Sequence, residues 1–340
     1  MTSLQSDRAF PSCRTVLFIP ARVNLLMATT RLKAFCVLSL VLLSHTLAVT
    51  AADNVTIESK AEGMFVRIRG DEFTVLRHGS AFTKPYLWPI RGEDGAILTR
   101  PIDPQQKDHP HHRGVWLAVD EVNEIKFWAE RGTIETREVT SVDGDPALIQ
   151  LKNEWIGPDG KPALLESTTI SIHSNRLVTY DFTLTPPTGQ LVRFDDTKEG
   201  FFGIRIAQSM REIEGGTVTN SAGQKTTKEC WGQTAKWVDY TGLVDSKYYG
   251  VVLMDHPENF RPSRYHVRDY GLFSLSPFGE GAYQNDQEKS KFVILDDARP
   301  TLRMRYGLYV HDGPLNEVNV DAAYGQFLQS TSNGRSHSSR

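Results

Sequence analysis

Cysteine is nearly absent from this 340-residue chain: of three, Cys13 and Cys36 lie near the start and only Cys230 falls beyond residue 52. A single thiol cannot close an intramolecular disulfide, so a disulfide-stapled scaffold is excluded and stability has to come from a core. Cys230, beside Trp231, reads as a small buried hydrophobe rather than a nucleophile. Excess basic charge is missing too. The first 52 residues hold five of the 38 Lys and Arg and one of the 41 Asp and Glu, which leaves 33 against 40, a net of −7, for the rest. Polyanion binding shows as a basic excess on one face, so nucleic acid is not an expected partner. No stretch beyond residue 52 approaches the roughly 20 apolar residues of a membrane-spanning helix. Amphipathic helices are scarce as well: none of three turns is evident before Leu315 to Leu328, which is itself weakly patterned.

The one long apolar run, Ala34 to Leu43, follows Arg31 and Lys33 and precedes Ala48-Val49-Thr50-Ala51-Ala52. That order of charge, apolar stretch and small residues is the pattern of a cleaved secretory signal over 27–52, and implies an exported protein, periplasmic or extracellular, with no membrane span after cleavage. Met27 stands just upstream, so residues 1–26 read as a misassigned start or a disordered extension. Residues 330–340 are polar and serine-rich and read as a disordered tail. Residues 53–329, without repeat or linker, read as one domain whose oligomeric state the sequence leaves open.

What is present is β pattern. Met64 to Ile68 and Phe73 to Leu76 form one pair around Gly70-Asp71. Ala147 to Trp155, Leu164 to Ile172 and Leu177 to Leu184 form a meander around Gly157-Pro158-Asp159-Gly160 and Ser174-Asn175. Val178, Tyr180, Phe182 and Leu184 alternate with Thr179, Asp181, Thr183 and Thr185, the period of a strand with one buried face. Val251 to Met254, Gly271 to Leu275 and Met304 to Val310 continue it. Strands without helical crossovers predict an all-β chain built as a large antiparallel β-sandwich.

Chemistry concentrates in Asp108-His109-Pro110-His111-His112-Arg113-Gly114-Val115-Trp116, with three of ten histidines in four residues. Imidazole exchanges a proton near neutral pH and is the commonest metal ligand. In an extended segment His109 and His111 would share one side and His112 the other. Asp195-Asp196-Thr197-Lys198-Glu199-Gly200 suits a loop presenting a carboxylate, with Glu199 favoured and Asp195, Asp196 and Lys198 read as solvated or ion-paired. Glu229 lies beside Cys230 and Trp231. His256 follows Asp255 before Pro257, and His266, Arg268 and Tyr270 alternate, sharing a face if extended. His78, His173 and His311 stand alone and read as structural.

Lys84-Pro85-Tyr86-Leu87-Trp88-Pro89, Arg100-Pro101, the 108–116 motif, Phe127-Trp128, the 196–205 segment, Glu229 with Trp231-Gly232, residues 255–271 and Pro277-Phe278-Gly279 together resemble the PmoA-like family, over roughly residues 60 to 320. Tyr265 and Lys126 depart from that family's pattern. Its inherited label, "methane oxygenase PmoA", does not fit a mature chain without long apolar helices. The resemblance implies a β-sandwich akin to the galactose-mutarotase-like supersandwich, and a setting among exported proteins of polysaccharide-degrading bacteria.

Three functions remain open at this level. The first is acid/base chemistry on a carbohydrate or sugar-derived small molecule, of isomerase, lyase or hydrolase type. There one of His109, His111 or His112 works with His256 or His266, Glu199 is the opposing carboxylate, and Arg100, Trp116, Glu229, Arg268 and Tyr270 bind substrate. In the second the histidines ligate a divalent metal, zinc or non-haem iron, although HPHH is not a recognised ligand spacing. The third is a non-catalytic carbohydrate-binding or scaffold sandwich.

Overall fold

Short, β-branched and aromatic runs separated by tight turns leave the backbone one way to satisfy its hydrogen bonds, which is lateral pairing. The computed structural model describes residues 54–288 and 290–332, and every strand pair in it is antiparallel. A first eight-stranded sheet runs Val55–Lys60, Gly63–Ile68, Asp71–Arg77, Tyr86–Leu87, Val115–Val119, Gly200–Arg205, Leu272–Ser276, Arg264–Val267. A second runs Thr217–Asn220, Trp237–Val244, Lys247–Asp255, Leu302–Asp312, Leu177–Thr185, Pro162–Ile172, Ala147–Ile156, Thr133–Val142. A four-stranded sheet of Val293–Leu295, Val192–Phe194, Glu121–Val122 and Ile125–Lys126 accompanies them.

The hairpin of Gly63–Ile68 and Asp71–Arg77 turns on Arg69 (φ 53°) and Gly70 (φ 93°), one residue earlier than the sequence suggested; two positive φ values match the right-handed twist of the flanking strands. Val178, Tyr180, Phe182 and Leu184 face the core, as their alternation requires. From the first sheet Phe202 meets Tyr180 at 4.8 Å and stacks on Tyr306 at 5.6 Å between ring centroids. The core thus lies between two packed sheets, the predicted sandwich.

The helix Val320–Ser332 covers the outer face of the second sheet. Val320, Ala323, Tyr324 and Phe327, an i, i+3, i+4, i+7 stripe, pack on Leu177, Trp237, Val252 and Met254. The helix begins later than the expected Leu315, because Leu315–Glu317 forms a separate 3₁₀ turn. It also runs through Ser332, into the expected tail: Thr331 is buried and its hydroxyl donates to the Phe327 carbonyl. The expected signal segment, residues 27–52, lies outside the described residues, as do 333–340.

Two of the lone features are structural. Cys230 is fully buried, and burial pushes its thiol up to about 11. His311 Nε2 lies 3.0 Å from the buried Asp239 carboxylate, across Gly250, where a Cβ would sit 2.0 Å from that nitrogen.

Candidate functional site

Phe202 points into the core, so its neighbour Gly203 faces the opposite way, onto the outer face of the first sheet. Cross-strand pairing aligns Trp116, Gly203, Ser274 and His266 in one transverse row on that face. A Cβ on Gly203 would lie 3.1 Å from Trp128 Cη2 and 3.5 Å from Trp116 Cζ2, so glycine leaves room for two indoles to lie over the strand. These rings form the floor on which the polar groups assemble.

The histidine motif enters from one end of the row, as a turn and not as an extended segment. Pro110 supplies the corner, and the His112 N–H donates to the His109 carbonyl at 3.0 Å. His109 and His112, three residues apart, therefore stack instead of facing opposite sides, with centroids 4.7 Å apart and planes at 15°. The stack continues outward to Tyr270 (5.6 Å, 12°) and inward to Trp116 (5.2 Å, 21°). His111 sits edge-on to His112 at 4.4 Å.

Two buried cations hold this turn by its carbonyls. The Arg100 guanidinium donates to the carbonyls of Asp108 (3.0 Å), His109 (2.8 Å) and His112 (3.0 Å). Lys84 Nζ donates to the His111 carbonyl (2.8 Å) and to Glu130 (2.6 Å), and burial brings its ammonium down to about 8. Arg100, expected to bind substrate, is only 5% exposed and its donors are taken by the loop, so it is a clasp. Trp116, likewise expected at the ligand, is buried beneath His112 and supports the stack.

At the mouth of the turn Asp108 accepts from His109 Nδ1 at 2.5 Å, from Arg205 Nη2 at 2.8 Å and from Arg100 Nη1 at 3.4 Å. Partial burial opposes its charge, but the His109 hydrogen bond and the Arg205 charge outweigh it and hold this carboxyl below the usual range. With Nδ1–H donated to Asp108, neutral His109 keeps its lone pair on Nε2, and 42% of the side chain is exposed. Arg205, at the end of strand Gly200–Arg205, also reaches His112 Nδ1 at 3.3 Å and lies 4.7 Å from the Tyr270 ring centre. His112 is buried and pushed far down by that burial, while His111 is lowered to about 4 by the same cause and by Lys84.

Glu199 arrives from the other side on a loop that is pinned twice. Asp196, expected to be solvated or ion-paired, is completely buried and accepts from the backbone N–H groups of Gly281, Ala282 and Lys291 at 3.0 to 3.1 Å. The Lys198 carbonyl accepts from His266 Nδ1 (3.0 Å) and Tyr283 Oη (2.7 Å). Gly200 follows at φ 101°, a conformation that favours glycine. The Glu199 carboxylate thus stands 3.9 Å from His266 Nδ1 with 46% of its side chain exposed. Partial burial and the charge of Asp120 raise its pKa; the charges of His109 and Arg268 oppose them without cancelling them.

His266 itself is buried, and burial lowers it to about 4. Its Nε2 has no hydrogen-bond partner, nor do His112 Nε2 and the indole nitrogens of Trp116 and Trp231. Buried polar atoms without partners are costly, and four at one face are places for water or ligand oxygens. Arg268 to Gly271 is a turn and not an extended continuation of Arg264–Val267: the Gly271 N–H donates to the Arg268 carbonyl at 3.0 Å, with Gly271 at φ 91°. The turn still joins the two expected residues, with the Arg268 guanidinium 5.5 Å from the Tyr270 ring centre.

Two candidates stay apart. His256 packs on Phe327 of the C-terminal helix, on the far side of the second sheet, so the sandwich thickness separates it from Glu199. Glu229 is exposed on the short helix Thr226–Cys230 and accepts from the Lys225 N–H at 2.8 Å, closing its own helix turn. Asp108, Arg205 and Lys84 belong to the site by their contacts, and Asp120 by its charge on Glu199, although the sequence pointed to none of them as acting there. Asp108 stood beside His109, and Lys84 and Arg205 fell within segments that carry the family resemblance. Among the described residues no three His, Cys, Asp or Glu side chains are disposed to hold a metal ion. The three clustered imidazoles meet by faces and edges, which does not converge their lone pairs.

The lowered His266 has a pH consequence. Its folded pKa near 4 lies below the unfolded value of 6.5, so the unfolded chain binds more protons between these values. Stability is therefore full above about pH 6.5 and declines toward pH 4, by an amount of order 3 kcal/mol from this group. Thermal melting from pH 7 to 4 is expected to show the decline, flattened in His266→Asn; an unchanged slope in that variant would contradict it.

No curated protein sequence matches the chain. Among solved structures, a galactose 1-epimerase from Lactobacillus acidophilus is similar at 8% identity and TM-score 0.39, over 77% of this chain and 99% of that one. A β-arabinopyranosidase is similar at 13% identity and TM-score 0.30, over 76% of this chain but only 38% of its own length. The Family of unknown function (DUF6807) matches residues 63–325, from the second strand of the first sheet into the C-terminal helix. By that match the chain belongs to the DUF6807 family.

Proposed function

We propose that this chain is an exported enzyme that moves protons on a carbohydrate or sugar-derived small molecule at the outer face of the first sheet. The observation that carries the reading is the Asp108–His109 hydrogen bond on a partly exposed imidazole, together with the partly exposed Glu199, whose pKa is raised. Acid and base need environments that push them toward opposite protonation states. His109, with Nδ1–H fixed by Asp108, takes a substrate proton on Nε2. Glu199 holds a proton more readily than a solvated carboxyl and delivers it to the oxygen that gains electron density. Burial keeps His266 neutral, and its Nδ1–H positions the loop that carries Glu199.

What surrounds these groups supports that substrate class. The aromatic stack ends at the half-buried Tyr270, His109 presents a partly exposed edge between Tyr270 and His112, and Arg268 and Glu199 offer hydrogen-bonding groups. A polyhydroxylated ring has matching apolar faces and polar rims. The test is proton NMR in D₂O on a panel of reducing sugars and uronic acids. Accelerated anomer exchange, deuterium incorporation or bond cleavage is expected with at least one of them, absent in His109→Ala and Glu199→Gln. No turnover across the panel, or turnover retained in both variants, would contradict the reading.

A further inference from the structure

The cations of this face divide into two kinds. Lys84 is paired with Glu130, and Arg100 and Arg205 with Asp108. Arg268 and Lys198 have no carboxylate partner among the described residues, although both are exposed and both stand beside Glu199. Arg268 lies over the Tyr270 ring, and the Lys198 ammonium is 5.6 Å from the Trp231 ring centre. Both lie around His266: the Lys198 carbonyl accepts from its Nδ1 at 3.0 Å, Trp231 beneath the Lys198 ammonium is 6.2 Å from its ring, and Arg268 follows it by two residues. In that same place the buried His266 Nε2 and Trp231 Nε1 lack partners, one free to accept and the other to donate.

We infer that the substrate of this site is an acidic sugar, whose carboxylate is held by Arg268 and Lys198. The inference rests on the sugar reading of the same face and adds the charge. A guanidinium laid on an aromatic ring keeps its edge free for two parallel hydrogen bonds to a planar carboxylate. Two cations next to the carboxylates Glu199 and Asp120 suit one negative charge on the ligand better than two.

Calorimetric titration of the wild-type chain at low salt with D-galacturonate, its methyl ester and D-galactose 6-sulfate tests this directly. Galacturonate is expected to bind about tenfold tighter than the ester, which has the same shape without the charge. The preference is expected to fall to about threefold or less in Arg268→Gln/Lys198→Gln and to persist in Glu199→Gln. Both replaced cations are exposed, and a melting curve confirms that the variant is folded. Equal affinity for acid and ester, or a preference unchanged in the double variant, overturns the acidic-sugar assignment while leaving the His109 and Glu199 chemistry standing. Tighter binding of the sulfate than of galacturonate overturns the carboxylate. No binding of any of the three overturns the assignment together with the sugar reading.

Discussion

Glu199→Gln is expected to lower kcat by about a hundredfold to ten-thousandfold, the usual worth of a positioned general acid, with KM little changed. The amide has the size and polarity of the acid but no acidic proton, so binding survives while transfer fails. The substitution leaves the loop in place, because its anchors are elsewhere: Asp196 on the backbone N–H groups of 281, 282 and 291, and the Lys198 carbonyl on His266 and Tyr283. An unchanged melting temperature is therefore part of the expectation. A loss smaller than about threefold would remove Glu199 from the chemistry.

The architecture was legible because each cue was local. Alternation in Val178 to Leu184, turn signals at 70–71, one residue off the observed turn, and at 157–160, and the absence of helical crossovers all act within a few residues, and the sandwich follows from them. The site was legible in part. Glu199, His109, Arg268 and Tyr270 converge as expected, but the expected geometry of their segments was wrong at two turns. Pro110 bends the histidine motif, and Gly271 closes Arg268 onto Tyr270, so alternation was the wrong rule for both. Of the three imidazoles expected to supply one partner, His109, His111 and His112, it is His109 that has a carboxylate partner and exposure. His256 looked equivalent because Asp-His-Pro repeats at 255–257, and only the placement of the last helix separates it. Arg100 and Lys84 show why partners stayed hidden: their contacts are carbonyl oxygens, which every residue has.

His109→Ala is expected to cost as much as the loss of Glu199, because it removes the only exposed imidazole of the cluster whose Nδ1–H is fixed by a carboxylate. Asp108→Asn is expected to cost less, about tenfold to a thousandfold, since its amide oxygen can still accept from Arg205 while the carboxylate that orients His109 is gone. Neither replacement should alter the sandwich, whose core lies on the other side of the strand that carries Gly203.

The most direct measurement is the turnover of four proteins on one responsive sugar: wild type, His109→Ala, Glu199→Gln and the variant carrying both. If one residue takes the proton and the other gives it in the same step, the double replacement costs little more than either single one. Losses that multiply would show two independent groups, and would contradict the claim that this face works as one acid/base site.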